Sequence, residues 1–246
     1  MEAWYEKYKD AGLVVIGVHT PEFDFEKILS NVQMAVTKFG LTYPVVLDSN
    51  YGTWSAYGNE YWPHEYLIDI DGFIAHDEIG EGNYAATEAE IQKLLAEKNQ
   101  VLGTNIPIPT GTVHPNAITY TTDMQLSPET YFGSVRAEHN FSLSGTWNTA
   151  AQYIQSTENG AAITYEYQAQ NVYFVAAGSP TAVMQVLIDG KPIPASMRGD
   201  DVDANGLLHL DQNRLYSLVK DTAWGQHTIK LVLTSGAVQA FTFTFG

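Results

Sequence analysis

The feature that most constrains this chain is a change of hydrophobic period part-way along it. Up to the stretch NQVLGTNIPIPTGTVHPNAITY, apolar residues recur at helical spacing or in short continuous runs. Beyond it they alternate, apolar then polar, as in half-buried strands. The stretch itself holds Pro107, Pro109 and Pro115 among Gly, Asn and Thr residues, the composition of a linker. Two periods on either side of a linker predict two domains: residues 1–98, a linker over 99–118, and residues 119–246.

In the first half, EAWYEKYKDAG reads as an amphipathic helix with Trp4, Tyr5 and Tyr8 on one side and Gly12 as its stop. LVVIGVH, Leu13 to His19, is the continuous β-branched run of a strand buried on both faces. Ile28, Leu29, Val32, Ala35, Val36 and Phe39 then repeat at helical spacing, and Gly40 closes that helix. YPVVLD is a second short strand. YLIDIDGFIAHDE predicts a hairpin on a two-residue type I′ turn at Asp71-Gly72. Thr87 and Glu90 form a capping box for a last helix, Glu88 to Lys98. The second half predicts an antiparallel sandwich or jelly roll. Ile163, Tyr165 and Tyr167 share one face of a strand, with turns at Asp189-Gly190 and Ser235-Gly236.

Composition narrows the function classes. With 28 acidic and 12 basic residues the formal charge is −16, which argues against nucleic acid as a partner. Residues 1–98 carry net −11 and residues 99–246 net −5. No run approaches the roughly 18 apolar residues of a membrane span, and MEAWYEKYKD has no apolar signal core. There is no Gly-rich phosphate loop and no nucleophile elbow, so no cofactor is expected. The seven histidines are scattered without ligand spacing. Cysteine is absent, which removes disulfides, thiolate nucleophiles and Cys-based zinc sites together.

One segment, NEYWPHEYLIDIDG, places a Trp-Pro step directly before a strand. Taken in order, Trp62-Pro63, EYLID and IDGFI resemble the thioredoxin fold, in which a cis-proline precedes a strand that ends in an acidic-Gly hairpin. VVIGVHTPEFDFEK and YPVVLDSNYGTWSAYGNEYWP resemble the extracytoplasmic region of DipZ-type thiol–disulfide oxidoreductases of the cytochrome-c-biogenesis and redoxin group. SPETYFGSVRAEHNF, GDDVDANGLLHL, RLYSLV and FTFTFG resemble the carbohydrate-binding-module-like β-sandwich that follows in that family.

The resemblance implies an α/β thioredoxin-like domain, truncated at its N-terminus, followed by an all-β jelly-roll sandwich. It implies a cis Trp62-Pro63 bond and a substrate-side scaffold of Trp62, Pro63 and Glu22, the last as a proton relay. For Glu22 the segment TPEFDFEK reads equally as an acidic helix start. For Trp62 the alternative is core packing. The family's Cys-x-x-Cys pair, and the strand leading into it, would precede MEAWYEKYKD, so this chain is expected to be inactive in exchange. Met1 reads either as an internal methionine or as a chosen boundary. The strands flanking the absent one are expected to close up and pair, or to take a strand from a second copy as a homodimer.

The partners implied for the parent are exported thiol or disulfide proteins and a membrane electron donor, with the protein anchored outside the cytoplasm. The rival reading is a non-enzymatic cell-surface module that recognises glycan. Tyr120, Tyr131, Trp147, Tyr153, Tyr165, Tyr167, Tyr173 and Trp224 would stack on sugar if exposed, or fill the core if not. In DVDANG, the side chains of Asp201, Asp203 and Asn205 follow the first half of a calcium loop, but position twelve is Gln212, and an acidic turn explains the pattern equally.

Overall fold

The computed structural model describes residues 1–113, 125–136 and 140–246. The chain divides into two compact units, Met1–Thr121 and Thr122–Gly246. His114, Pro115, Tyr120 and His139 lie outside the described residues.

The first unit runs α1 (Glu2–Tyr8), β1 (Gly17–His19), α2 (Leu29–Lys38), β2 (Val45–Leu47), α3 (Gly52–Ala56), β3 (His64–Ile68), β4 (Ile74–Ile79) and α4 (Tyr84–Leu102). This is the expected order of strand, helix, strand, short helix, hairpin and helix. Trp4 and Tyr8, one turn apart on α1, are fully buried against Ile91 and Leu95 of α4. Gly12 ends the first helical segment at φ 107°, a left-handed conformation that suits glycine.

Glu88 of α4 is also buried, at 1% exposure. It accepts hydrogen bonds from Lys7 Nζ at 2.8 Å, Tyr8 Oη at 2.8 Å and the Val113 N–H at 2.7 Å. Burial alone would push this carboxyl up. The Lys7 ammonium and the Val113 and Tyr8 donors outweigh it and hold the carboxyl below its usual value.

The capping box is not formed. α4 begins at Tyr84 after Asn83, and Thr87 is buried inside it with no partner for its hydroxyl. Packing of Tyr84 on Trp4, ring centres 6.1 Å apart, accompanies the extra turn. The helix continues to Leu102, past Lys98, and Gly103 follows it at φ 64°. Ile108 and Val113, assigned by sequence to the linker, pack on the α1–α4 cluster.

The strands form two separate pairs. β1 and β2 are parallel, with Val18 opposite Val46, and β3 and β4 are antiparallel, with Leu67 opposite His76. The two inner strands do not pair with each other, so the expected direct closure does not occur. Nor is LVVIGVH buried on both faces. Only Gly17–His19 is strand, while Val14 is 76% and Ile16 59% exposed.

The hairpin turn also differs from expectation. Only Gly72 has positive φ, and the Asp69 carboxylate accepts from the Asp71 and Phe73 N–H groups, which sets a longer loop.

The second unit contains β5 (Thr130–Tyr131), β6 (Phe141–Ser144), β7 (Asn148–Thr149), β8 (Ile154–Ser156), β9 (Ala162–Gly178), β10 (Val183–Ile188), β11 (Lys191–Pro192), β12 (Leu207–His209), β13 (Arg214–Ser235) and β14 (Val238–Phe245). Its strands follow the order β11-β10-β13-β9-β14-β8-β7, with β12 on β10, β5 on β14 and β6 on β9. All pairings are antiparallel, and the long β13 shifts register against β9 after Ser217 and again after Lys220.

Ile163, Tyr165 and Tyr167 face inward together, as the alternation predicts. The core centres on Phe132, Phe174 and Phe243, whose rings meet at 5.2 to 6.4 Å. Asp189 and Gly190 take φ 51° and 76°, the type I′ geometry expected there.

Candidate functional site

Three segments of the first unit converge at the C-terminal end of β1. The first is the loop His19 to Glu26. The second is the turn from β2 into α3, where Asp48 accepts from the Thr53 and Trp54 N–H groups at 3.1 and 2.8 Å. Those amides, with the Trp54 bond foremost, hold the Asp48 carboxyl below its usual value. Tyr51 Oη donates to the Pro21 carbonyl and ties the two segments together.

The third segment is the Trp-Pro step. The Trp62-Pro63 bond is cis, as expected. Trp62 is 44% exposed, so it is not a core residue. Its ring leans on Trp54 with centres 4.1 Å apart, and its Nε1 donates to the Thr20 carbonyl at 3.2 Å. The indole is thus fixed at one edge and open at the other. The Pro63 carbonyl accepts from the Gly80 N–H at 2.9 Å, which anchors the step to β4.

His64 follows directly, and sequence reasoning gave it no role. Its Nδ1 lies 2.6 Å from Asn59 Oδ1 and its Nε2 3.0 Å from Asp77 Oδ2. Tyr66 Oη is also 2.7 Å from Nδ1. Asn59 Nδ2 donates to the Tyr61 carbonyl, which orients its amide with oxygen towards the imidazole. This network clamps both sides of the Trp-Pro step.

Of the expected acidic pair of readings, Glu22 itself is half-buried, and its N–H donates to Glu26 Oε2 at 2.6 Å. Phe23 N–H joins at 3.1 Å. Burial pushes the Glu26 carboxyl up, more than those two donors pull it down. The perturbed carboxylate of this loop is therefore Glu26. Its signal in the sequence is an acid three residues after the start of a helical turn, where it reaches back to free N–H groups.

The second unit bears on two open alternatives. Asp201 accepts from Arg214 Nη1 at 2.9 Å and the Ser217 N–H at 2.8 Å. Asp203 accepts from the Asn205 and Leu207 N–H groups at 2.8 and 2.9 Å. DVDANG forms an acidic turn whose carboxylates take backbone N–H groups and Arg214, and no group of three or more His, Asp or Glu side chains placed to hold a metal ion occurs among the described residues. The aromatics named for a glycan platform divide between core and margin. Tyr165 and Tyr167 are buried, and Tyr131, Trp147, Tyr153, Tyr173 and Trp224 are only partly accessible. Trp147 packs against the core cluster and donates its Nε1 to the Ser144 carbonyl at 3.0 Å, and the Tyr153 ring leans on Phe241 with centres 5.2 Å apart.

A thioredoxin-like α/β unit followed by an antiparallel β-sandwich defines a class, and the sequence comparisons agree. The chain belongs to the family described as thioredoxin like C-terminal domain, which matches residues 119–246. It is similar along 99% of its length to protein DipZ of Mycobacterium tuberculosis (strain CDC 1551 / Oshkosh), at 36% identity. It spans about a third of DipZ, 35% of that chain. Thiol-disulfide oxidoreductase YkuV of Bacillus subtilis (strain 168) is 28% identical across 37% of this chain and 62% of its own. A solved thioredoxin-like protein in the oxidized form shares 27% identity over 39% of this chain and 64% of that one, with a TM-score of 0.36. No helix among the described residues is long and apolar enough to cross a membrane.

Proposed function

We propose that this chain is the substrate-side scaffold of an extracytoplasmic thiol–disulfide exchange protein. Trp62 and Pro63 form the docking edge for an extended segment of a partner, and Glu22 lies on the neighbouring loop. In the parent protein, exported thiol or disulfide proteins would dock there and a membrane-embedded donor would supply electrons. This chain has no cysteine, so it contributes recognition and not the exchanging sulfur. The free edges of β1 and β3 are where a second copy would pair in a homodimer.

The observation that carries this reading is Trp62. A large indole held half-exposed, by Trp54 on its face and the Thr20 carbonyl at its nitrogen, is a preorganised contact surface. Similarity to DipZ along the chain and to YkuV supports placing thiol exchange there. The test uses the full chain labelled with ¹⁵N and titrated with oxidised glutathione, a small disulfide peptide. Saturable shifts at Trp62, His64 and Thr20, lost in Trp62→Ala, are expected. Shifts confined to residues 125–246, or none, would overturn the reading.

A further inference from the structure

The hairpin that carries the Trp-Pro step has one sign of charge. Residues 59–81 hold seven carboxylates, from Glu60 to Glu81, and no lysine or arginine. Along the chain the nearest such bases are Lys38 and Lys93. Elsewhere in this unit lysines meet acids: Lys7 pairs with Glu88, Lys9 with Glu6, Lys27 with Asp24 and Lys93 with Glu90. The hairpin carboxylates have other partners. Asp77 faces His64 Nε2 at 3.0 Å, Glu78 accepts from the Asn83 carboxamide at 2.8 Å, and Asp69 accepts from two N–H groups. The Glu60 carboxylate is exposed and makes no hydrogen bond or ion pair to the described residues.

Unbalanced charge by itself serves solubility. Two further features of this hairpin turn it towards a ligand. The first is aromatic. Glu60, Tyr61, Trp62 and Pro63 are exposed in succession, with Tyr61 at 49% and Trp62 at 44%, and Trp62 is held in place by Trp54 and the Thr20 carbonyl. The negative face of an indole or phenol ring attracts a cation. The second is the backbone. β3 begins at His64, directly after the step, and pairs with β4 alone. Its other edge offers N–H and C=O groups to an extended chain.

Together these features fix the chemistry of what fits. An extended segment finds backbone partners along β3, and a cationic side chain finds open rings and an unpaired carboxylate at its start. An acidic segment would meet the hairpin carboxylates with no lysine or arginine there to answer it. The charge complement is therefore positive.

We infer that the partner segment received at the Trp62-Pro63 step is cationic, an extended stretch whose lysine or arginine side chains are read by Trp62, Tyr61 and Glu60. The inference rests on the docking reading above and adds the sign of the partner's charge.

The test titrates the ¹⁵N-labelled full chain with three blocked pentapeptides, Lys-Val-Lys-Val-Lys, Ser-Val-Ser-Val-Ser and Glu-Val-Glu-Val-Glu. The lysine peptide should shift the Trp62 indole N–H and the Tyr61 and His64 amides saturably, about tenfold more tightly than the serine peptide. The glutamate peptide should leave them unmoved. Raising salt from about 0.02 to 0.3 M should remove most of the preference. Glu60→Gln and Tyr61→Ala should each weaken lysine-peptide binding about two- to fivefold. Glu97→Gln, which removes an exposed carboxylate on α4, should not. Equal binding of the lysine and serine peptides at the step would overturn the inference and leave the docking reading standing. No shift at the step with any peptide would overturn both. Lysine-peptide shifts away from the step, or unchanged in Trp62→Ala and Tyr61→Ala, would reduce the effect to net charge and overturn the inference. So would the same shifts on concentrating the chain without peptide, the mark of a second copy on this edge.

Discussion

The two units meet the same requirement, that backbone and apolar side chains be satisfied, in opposite ways. In the second unit β9, β13 and β14 each have strand neighbours on both sides, and their inward residues meet in one aromatic core. In the first unit β1 and β3 each pair on one side only, and apolar residues lie open along them. That unit is held instead by helix packing, with α1 on α4 around Trp4, Tyr8, Ile91 and Leu95. A sheet with free apolar edges is a docking surface as much as a scaffold. The difference is therefore one of satisfaction: the closed unit pairs its central strands on both sides, and the open one leaves strand edges available for pairing.

Core truncation gives the largest contrast. Phe243→Ala should cost about 3–5 kcal/mol, because the ring is fully buried between Phe132, Phe174 and Tyr165. Ile16→Ala, on the open run before β1, should change stability by less than about 0.5 kcal/mol. Urea denaturation read separately on the two units measures both. Equal effects would break the comparison.

Next comes the buried carboxylate. Glu88→Gln should destabilise the first unit by about 2–3 kcal/mol at neutral pH, the scale of a charge-assisted bond lost from a buried site. The pH dependence has a definite sign. The Glu88 carboxyl is held below its usual value when folded, so its stabilisation is present above the unfolded value, about 4.3. It is lost as pH falls through the folded one. Glu26 runs the other way: its carboxyl is pushed up by burial, so it weighs against folding at neutral pH and that penalty lifts on acidification. Melting curves across pH 3 to 7, about the range in which carboxyls titrate, should show wild type losing more in acid than Glu88→Gln does. Glu26→Gln should melt slightly higher than wild type at neutral pH, with the gain vanishing in acid.

A smaller effect sharpens the closed side. Gly190→Ala should cost about 1 kcal/mol, since an L side chain is strained at φ 76° although nothing lies within 4 Å of the new methyl. Calorimetry of the main transition checks it. Insulin reduction with dithiothreitol should show no acceleration by the chain, which has no thiolate.

Much of this contrast was legible in sequence, and the failures share a cause. Alternation placed Ile163, Tyr165 and Tyr167 inward, and Asp189-Gly190 turned as its residue types require, because both signals are local. Asp71-Gly72 has the same residue types, yet Asp69 upstream captured two N–H groups and set another loop. Thr87 and Glu90 matched a cap, but the Tyr84–Trp4 contact carried the helix through them. In the site, Trp62 and Pro63 were readable as a step before a strand. Glu26 and His64 were not, since burial of the first and the two-sided clamp on the second depend on residues brought together by the fold. Likewise the period of LVVIGVH says that the run is apolar, but its exposure depends on what packs over its faces.

The most direct test of this division is amide hydrogen exchange, residue by residue, on the full chain under native conditions. The N–H groups of Val18 and Tyr66 point away from the single strand neighbours of β1 and β3, by the alternation of their ladders. Those of Phe174, Leu231 and Phe243 lie within paired central strands. The account predicts that Val18 and Tyr66 exchange through local opening, with little protection, while the other three exchange only through global unfolding. Global-level protection at Val18 and Tyr66 in a chain that is monomeric by light scattering would contradict it.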